Sequence, residues 1–220
     1  RLQNRVAETR AELTEINRKI AILTNIESRV NSYIETQSYT IRAADGTETV
    51  RRFESLSHVF GSEQLAADNA RAYALAQREI FDDREERGGT ITRTAVGYTA
   101  TLVLGSKGGG IWNNTYWTDV DSGRQFVPIR SSEYLNANTV ANWHIHPTGE
   151  SGNNNFSGGG NGEAGDIEVF NIVNDRRASQ GIGRLTYYLA GADFSSDRYY
   201  YNQQSSKYEN EQGHGNYFKR

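Results

Sequence analysis

The sequence contains no cysteine. Disulfides, thiolate metal ligands and a cysteine nucleophile are therefore excluded, and the redox compartment stays open. Any metal must be held by imidazole and carboxylate, a donor set that suits zinc and also admits iron, manganese or nickel. Lysine is scarce, present only as Lys19, Lys107, Lys207 and Lys219. Neither sign of charge dominates: the formal net charge is -3, which gives no electrostatic motive for nucleic acid binding. No apolar run approaches the ~20 residues that span a bilayer. No segment joins a charged start to an apolar core in the manner of a signal peptide. The chain begins at Arg1 rather than Met, so a processed protein or a segment of a longer one is expected.

What is present is a polar, globular composition: 220 residues, 36% hydrophobic and 23% charged. That length holds one domain with an appendage, or two small domains. The clearest element is a helix over residues 1–36. Leu2, Val6, Thr9, Leu13, Ile16, Ile20, Leu23, Glu27, Val30 and Ile34 alternate in steps of four and three. That is a heptad seam, with Thr9 and Glu27 as polar interruptions and Ile22 and Ile26 widening the stripe. A coiled-coil stalk is expected, joining other copies or a partner helix. The spacing leaves the oligomer number open.

Residues 37–54 read as a connecting hairpin around Ala44-Asp45-Gly46, because Asp-Gly is a strong turn signal. A second helix is expected over 62–81, with Ser62 as its cap and an alanine-rich face suited to close approach on a sheet. Strands follow at Thr92 to Val96 and Thr99 to Leu104. Lys107 to Gly110 reads as a turn, Ile111 to Val120 as a strand, Asp121-Ser122-Gly123 as a turn and Gln125 to Ile129 as a strand. Trp112, Tyr116 and Trp117 read as sheet and core residues. After a strand over Asn138 to His146 comes a Gly/Asn/Ser loop over 148–163. A helix opens at Gly165-Asp166, with Ile167, Phe170, Ile172 and Val173 on its apolar side. Two strands, Arg184 to Ala190 and Arg198 to Tyr201, end the ordered pattern. Residues 203–220 read as a polar tail. The fold class is α+β with a central sheet, its main domain over 55–202.

Two of the four histidines, His144 and His146, stand two residues apart in a strand and so share one face. Asp166 at a helix start can join them as a third ligand, leaving a tetrahedral position open. A hydrolytic site also needs a base. Glu86 is the upstream candidate, beside Gly88-Gly89, where close backbone approach is sterically possible. The Ser157 hydroxyl can support an oxyanion. His58 reads as a structural residue and His214 as one without a role.

Glu86-x-Gly88-Gly89-x-Ile91, His144-x-His146-Pro147, Phe156-Ser157 and Asp166-Ile167 together resemble the JAB/MPN/JAMM metallopeptidase pattern. More narrowly they resemble the JAB-like domain of unknown function found at the C-terminal ends of RHS-type polymorphic toxins. The resemblance spans about residues 55–202 and leaves the first helix outside. It implies a JAB-like sheet flanked by helices, with zinc on His144, His146 and Asp166. It further implies Glu86 as the acid/base, Ser157 at the oxyanion, and hydrolysis of a peptide or isopeptide bond. One departure is plain. The family pattern sets the serine three residues before the aspartate, where this chain has Glu163. Either the intervening loop folds Ser157 back to the site, or the oxyanion role is lost or taken by another group. Glu163 or Glu150 could also enter the metal shell. The cupin pattern shares the first half of this motif, His144-x-His146-x-x-x-Glu150, but needs a later histidine in a second β-motif, where none is suitably placed, and the helices expected at 62–81 and 166–177 disagree with a β-barrel.

Two functions are therefore expected in alternative. One is a zinc-dependent peptidase or isopeptidase, the effector end of a larger secreted or translocated protein, acting on a protein or peptide. The other is an inactive attachment module on a coiled-coil stalk, in a fibre, phage-tail-like or surface assembly.

Overall fold

The computed structural model describes residues 2–43, 45–82, 86–104, 106–109, 120–126, 131–146, 156, 165–191 and 195–211. Helix α1 (Leu2–Ile34) is followed by a hairpin of β1 (Ser38–Arg42) and β2 (Glu48–Arg52). Helix α2 (Glu63–Phe81) starts on Ser62, whose side chain accepts from the Leu65 N–H at 3.2 Å. That bond satisfies one of the amide donors left open at a helix start. Next come β3 (Arg87–Thr94), β4 (Gly97–Ala100), β5 (Val103–Leu104), β6 (Ser106–Gly109) and β7 (Val120–Phe126). A short helix α3 (Ser131–Tyr134), β8 (Thr139–Ile145), helix α4 (Asp166–Ser179), β9 (Thr186–Ala190), β10 (Ser196–Asn202) and β11 (Lys207–Glu211) complete the order.

The main sheet is mixed. Its strands run β11-β10-β9-β8-β3-β4, with β5 also paired to β3. Every pairing is antiparallel except β8 with β9, the two strands that flank α4 in sequence. Side-chain alternation sorts this sheet into two faces. Ala141, Trp143 and Ile145 of β8, with Tyr188 and Ala190 of β9, pack with Ala66, Ala67, Ala70 and Ala74 of α2. Tyr187 and Leu189 of β9 point the other way, to Phe170 and Val173 of α4. The result is helix, sheet, helix, and α2 is buried from Ala66 to Arg78.

Small side chains let α2 be covered on two sides. Its other side, with Ala72, Tyr73 and Ala76, packs on Ile34, Tyr39 and Phe53. Gln77 donates to Asn31 at 2.7 Å and Tyr73 to Glu35 at 3.1 Å, fixing the end of α1 to the domain. The rest of α1 is exposed from Arg5 to Arg29, apart from half-buried Glu15.

Several expectations need correction. Lys107 to Gly109 lies in β6 rather than a turn. Asp121-Ser122-Gly123 lies in β7, where the ladder jumps from Lys107↔Gln125 to Gly109↔Val120. The turn-forming residues sit in that register break, which accommodates them inside a strand pair. Ile172 is exposed, so the buried side of α4 rests on Phe170 and Val173. Residues 207–211 of the supposed tail form β11, an edge strand of the main sheet. It lacks apolar alternation and is held by polar cross-strand contacts instead. Arg198 donates to Glu211 at 2.8 Å, Tyr200 to Glu209 at 2.8 Å, and Tyr199 stacks on Tyr208 at 5.3 Å. Trp112, Tyr116, Trp117 and His214 lie outside the described residues.

Candidate metal centre

The two faces of β8 decide where its histidines point. Ala141, Trp143 and Ile145 are committed to α2, so the alternate residues Asn142 and His144 face the α4 side, and His146 continues that register. The parallel neighbour β9 extends the support one residue past the strand: the His146 N–H donates to the Ala190 carbonyl at 3.0 Å. Helix α4 begins just outside the carboxyl ends of these parallel strands, a common ligand position in α/β sheets. Asp166 is its first residue, with Gly165 as N-cap. The amide dipoles of a helix start favour a carboxylate there.

These placements bring three donors together. His144 Nε2 and His146 Nε2 are 3.2 Å apart. Asp166 Oδ2 lies 3.3 Å from His146 Nε2, and Oδ1 lies 3.7 Å from His144 Nε2. Two ligands of a tetrahedral zinc ion, each at about 2.0–2.1 Å, stand roughly 3.3 Å from one another. The spacing of the two imidazoles and the donor types fit such an ion, and Asp166 reaches the two imidazoles through different carboxylate oxygens. The imidazoles are buried, while the Asp166 side chain keeps 23% of its surface exposed and forms the outer edge of the group.

Glu86 closes the inner side. The ladder pairs Arg87 with Ile145 and Gly88 with His144, so the next step carries Glu86 opposite His146. Donor atoms of Glu86, His144 and His146 all fall within 4.8 Å of one another, and all three residues are buried. The neighbouring glycine has a steric role: a Cβ at Gly89 would stand 2.0 Å from the Thr101 carbonyl oxygen. The Gly89 carbonyl accepts from Asn142 Nδ2 at 3.0 Å, and Trp143 Nε1 donates to the Thr101 carbonyl at 3.0 Å. These contacts lock β3 against β8 and the β4–β5 edge directly behind the histidines.

Electrostatics separate the roles of these groups. Burial, then the nearby Asp166 charge, pushes the Glu86 carboxyl well above the usual carboxylate range. Burial lowers His144, favouring the neutral imidazole that a metal needs, although Asp166 opposes the shift. Burial would raise Asp166, but the charge and hydrogen bonds of His144 and then His146 outweigh it and hold the carboxyl well below its usual range. An aromatic wall completes the site. Phe156 and Phe170 lie 5.9 and 6.1 Å from the His144 ring, and Phe170 stacks on Tyr187 at 3.6 Å.

Four of the five expected site residues, Glu86, His144, His146 and Asp166, therefore meet. Ser157, like Pro147, Glu150 and Glu163, lies outside the described residues. One contributor escaped the sequence reading. Arg78 of α2 is buried and donates through Nη1 to the His146 carbonyl at 2.5 Å. Its signal was present: Arg71 and Arg78 are charges spaced seven apart in an alanine-rich helix. Arg71 likewise turns inward, donating to the Leu189 carbonyl at 2.8 Å and to Ser196 Oγ at 2.9 Å. Comparison of the chain with protein-family models, with curated proteins and with solved structures finds no match.

Proposed function

We propose that residues 55–202 form a zinc-dependent hydrolase of peptide or isopeptide bonds, JAB-like in its site pattern, serving as the effector end of a larger secreted or translocated protein. The observation that carries this reading is the buried cluster of His144 Nε2 and His146 Nε2, 3.2 Å apart, with Glu86 and the Asp166 carboxylate beside them. A bound zinc ion supplies Lewis-acid polarisation of the scissile carbonyl and lowers the pKa of a water. The His144 and His146 imidazoles and the Asp166 carboxylate would hold that ion. Glu86 accepts a proton from the attacking water and returns it to the leaving amine, a role that suits a carboxyl with elevated proton affinity. Phe156 and Phe170 exclude water from one side of His144. Ser157 is assigned the oxyanion.

Elemental analysis of the purified chain, followed by peptide and isopeptide cleavage assays, tests this. Stoichiometric zinc is expected. Glu86→Gln should keep the metal and lose roughly 10²–10⁴-fold in turnover. A chain that takes up no metal at His144 and His146 under any loading condition ends the reading.

The exposed apolar residues of α1 favour a second reading, in which the same scaffold is an inactive attachment module on a coiled-coil stalk. A zinc-loaded oligomer inert towards every peptide bond offered would select it. A monomer would remove it.

A further inference from the structure

We propose that α1 pairs with α1 of a second copy of this chain, antiparallel, with Val6 of one helix opposite Leu23 of the other. The proposal rests on the seam being an interface and stands apart from the metal chemistry.

The seam is uncovered along one continuous reach. Val6, Leu13, Ile16, Ile20 and Leu23 are 46, 56, 52, 54 and 64% exposed, whereas Ile34, on the same seam, is 1% exposed and belongs to the domain core. Its first buried turn begins near Val30, which packs with that core. Among the described side chains, the exposed apolar seam residues run from Val6 to Leu23. Antiparallel pairing about a midpoint between Leu13 and Ile16 sets Val6 on Leu23, Thr9 on Ile20 and Leu13 on Ile16, each twice by symmetry. Thr9 costs little there. Its hydroxyl already donates to the Arg5 carbonyl at 2.9 Å within the helix, so its methyl can face Ile20.

Charges flanking the seam select this register from its neighbours. With Val6, Leu13 and Ile20 as heptad a positions, the g positions include Arg5, Glu12 and Lys19. In the antiparallel register above, Glu12 of each copy meets Lys19 of the other, giving two attractive contacts. Sliding by one heptad in one direction sets Glu12 against Glu12 and Arg5 against Lys19. Sliding in the other sets Lys19 against Lys19. A parallel pair sets Arg5 against Arg10 and buries Glu27 facing Glu27. Like charges in those places oppose every alternative. The favoured pairing carries the two domains at opposite ends of a rod, with the two Val30 positions about 45 Å apart by helix rise.

The absence of native cysteine makes the test direct. The full chain at tens of micromolar should be a dimer by light scattering. Val6→Cys and Leu23→Cys variants, mixed and then oxidised, should form the mixed disulfide, while Val6→Cys alone should not link to itself. Lys19→Glu should weaken the dimer about tenfold, from two repulsive contacts, and Glu12→Lys with Lys19→Glu together should restore it. A monomer, a trimer or larger assembly, self-linking of Val6→Cys, or failure of the double exchange to restore pairing would each overturn the proposal. None of these readouts depends on zinc, so loss of the hydrolase reading leaves them intact, and the reverse.

Discussion

His144 and Leu23 stand in opposite circumstances. His144 is 5% exposed and meets groups from β3, α4 and its own strand. Leu23 is 64% exposed on a helix that, among the described residues, touches the domain at its far end. Both belong to strongly patterned sequence, a His-x-His in one case and a heptad in the other. The difference is where the complementary groups come from. The candidate site brings together residues 86, 144, 146 and 166 of a single chain. The seam has its pattern on one face of one helix, and no other described element reaches it. A contrast with α2 sharpens this. That helix carries small residues on both sides and is buried on both, between the sheet and α1, whereas α1 from Val6 to Leu23 carries large apolar residues that no other described element covers. Pattern strength thus reports that a surface will be covered, while composition and position decide what covers it.

If the site is complete within one chain, damage to it should appear in metal binding irrespective of protein concentration. The largest effect is expected for His146→Ala. It removes a donor 3.2 Å from one ligand and 3.3 Å from another. Affinity for zinc should fall by more than about 100-fold, the upper end of what an outer-shell change costs. Zinc at a hundred times its dissociation constant stabilises the metal-bound fold by about 2.7 kcal/mol. Chelation should therefore lower the melting temperature of the parent chain by about 5–10 °C and leave His146→Ala unmoved. An equal response in both proteins would break the comparison, since the donors would not be the chain's own.

A smaller effect is expected for Arg78→Met. The guanidinium holds the His146 carbonyl at the point where the β3–β8 ladder has ended at Arg87↔Ile145. Methionine keeps much of the buried volume and removes the donor. Zinc affinity should drop 10- to 100-fold, as for other groups that orient a ligand. The visible absorption of a cobalt-substituted chain should shift as His146 reorients. Unchanged cobalt spectra and affinity would show that the Ala190 contact alone fixes His146.

How much of this was legible depends on whether the information was local. The side-chain period of a strand put His144 and His146 on one face, and Ala141, Trp143 and Ile145 mark the opposite face as the one that packs on α2. Asp166 was legible as a helix start because Gly165 precedes it and a basic end follows. Glu86 was not readable from spacing, as it lies 58 residues before His144 and meets it through strand pairing; the adjacent Gly88-Gly89 and the motif resemblance singled it out. Arg78 stood out only as a charge seven residues from Arg71 in an alanine-rich helix, and its partner, the His146 backbone carbonyl, leaves no trace in sequence. The β6–β7 pair was misread because Gly108-Gly109 and Asp121-Ser122-Gly123 carry turn signals that a register break absorbs. Strand β11 was missed because Lys207 to Glu211 has no apolar alternation. Its support lies in Arg198, Tyr199 and Tyr200 on the neighbouring strand.

The smallest expected effect on the domain is the most informative about the seam. Ile16 is 52% exposed in the single chain, so its surroundings there are mostly water. Ile16→Ser removes apolar surface that the isolated fold does not bury. Stability of the domain, followed by near-ultraviolet signals of its buried tryptophan and tyrosines at low protein concentration, should change by no more than about 0.5 kcal/mol. Zinc content and turnover should also stay put. Association should respond strongly, because symmetric pairing presents the substituted residue twice and leaves two hydroxyls facing Leu13. Dissociation at least tenfold easier is expected, since burying each large aliphatic side chain contributes about 1.5–3 kcal/mol. A marked loss of domain stability would instead mean that α1 folds back along its own domain in solution, and the seam would then be closed within one chain as the site is.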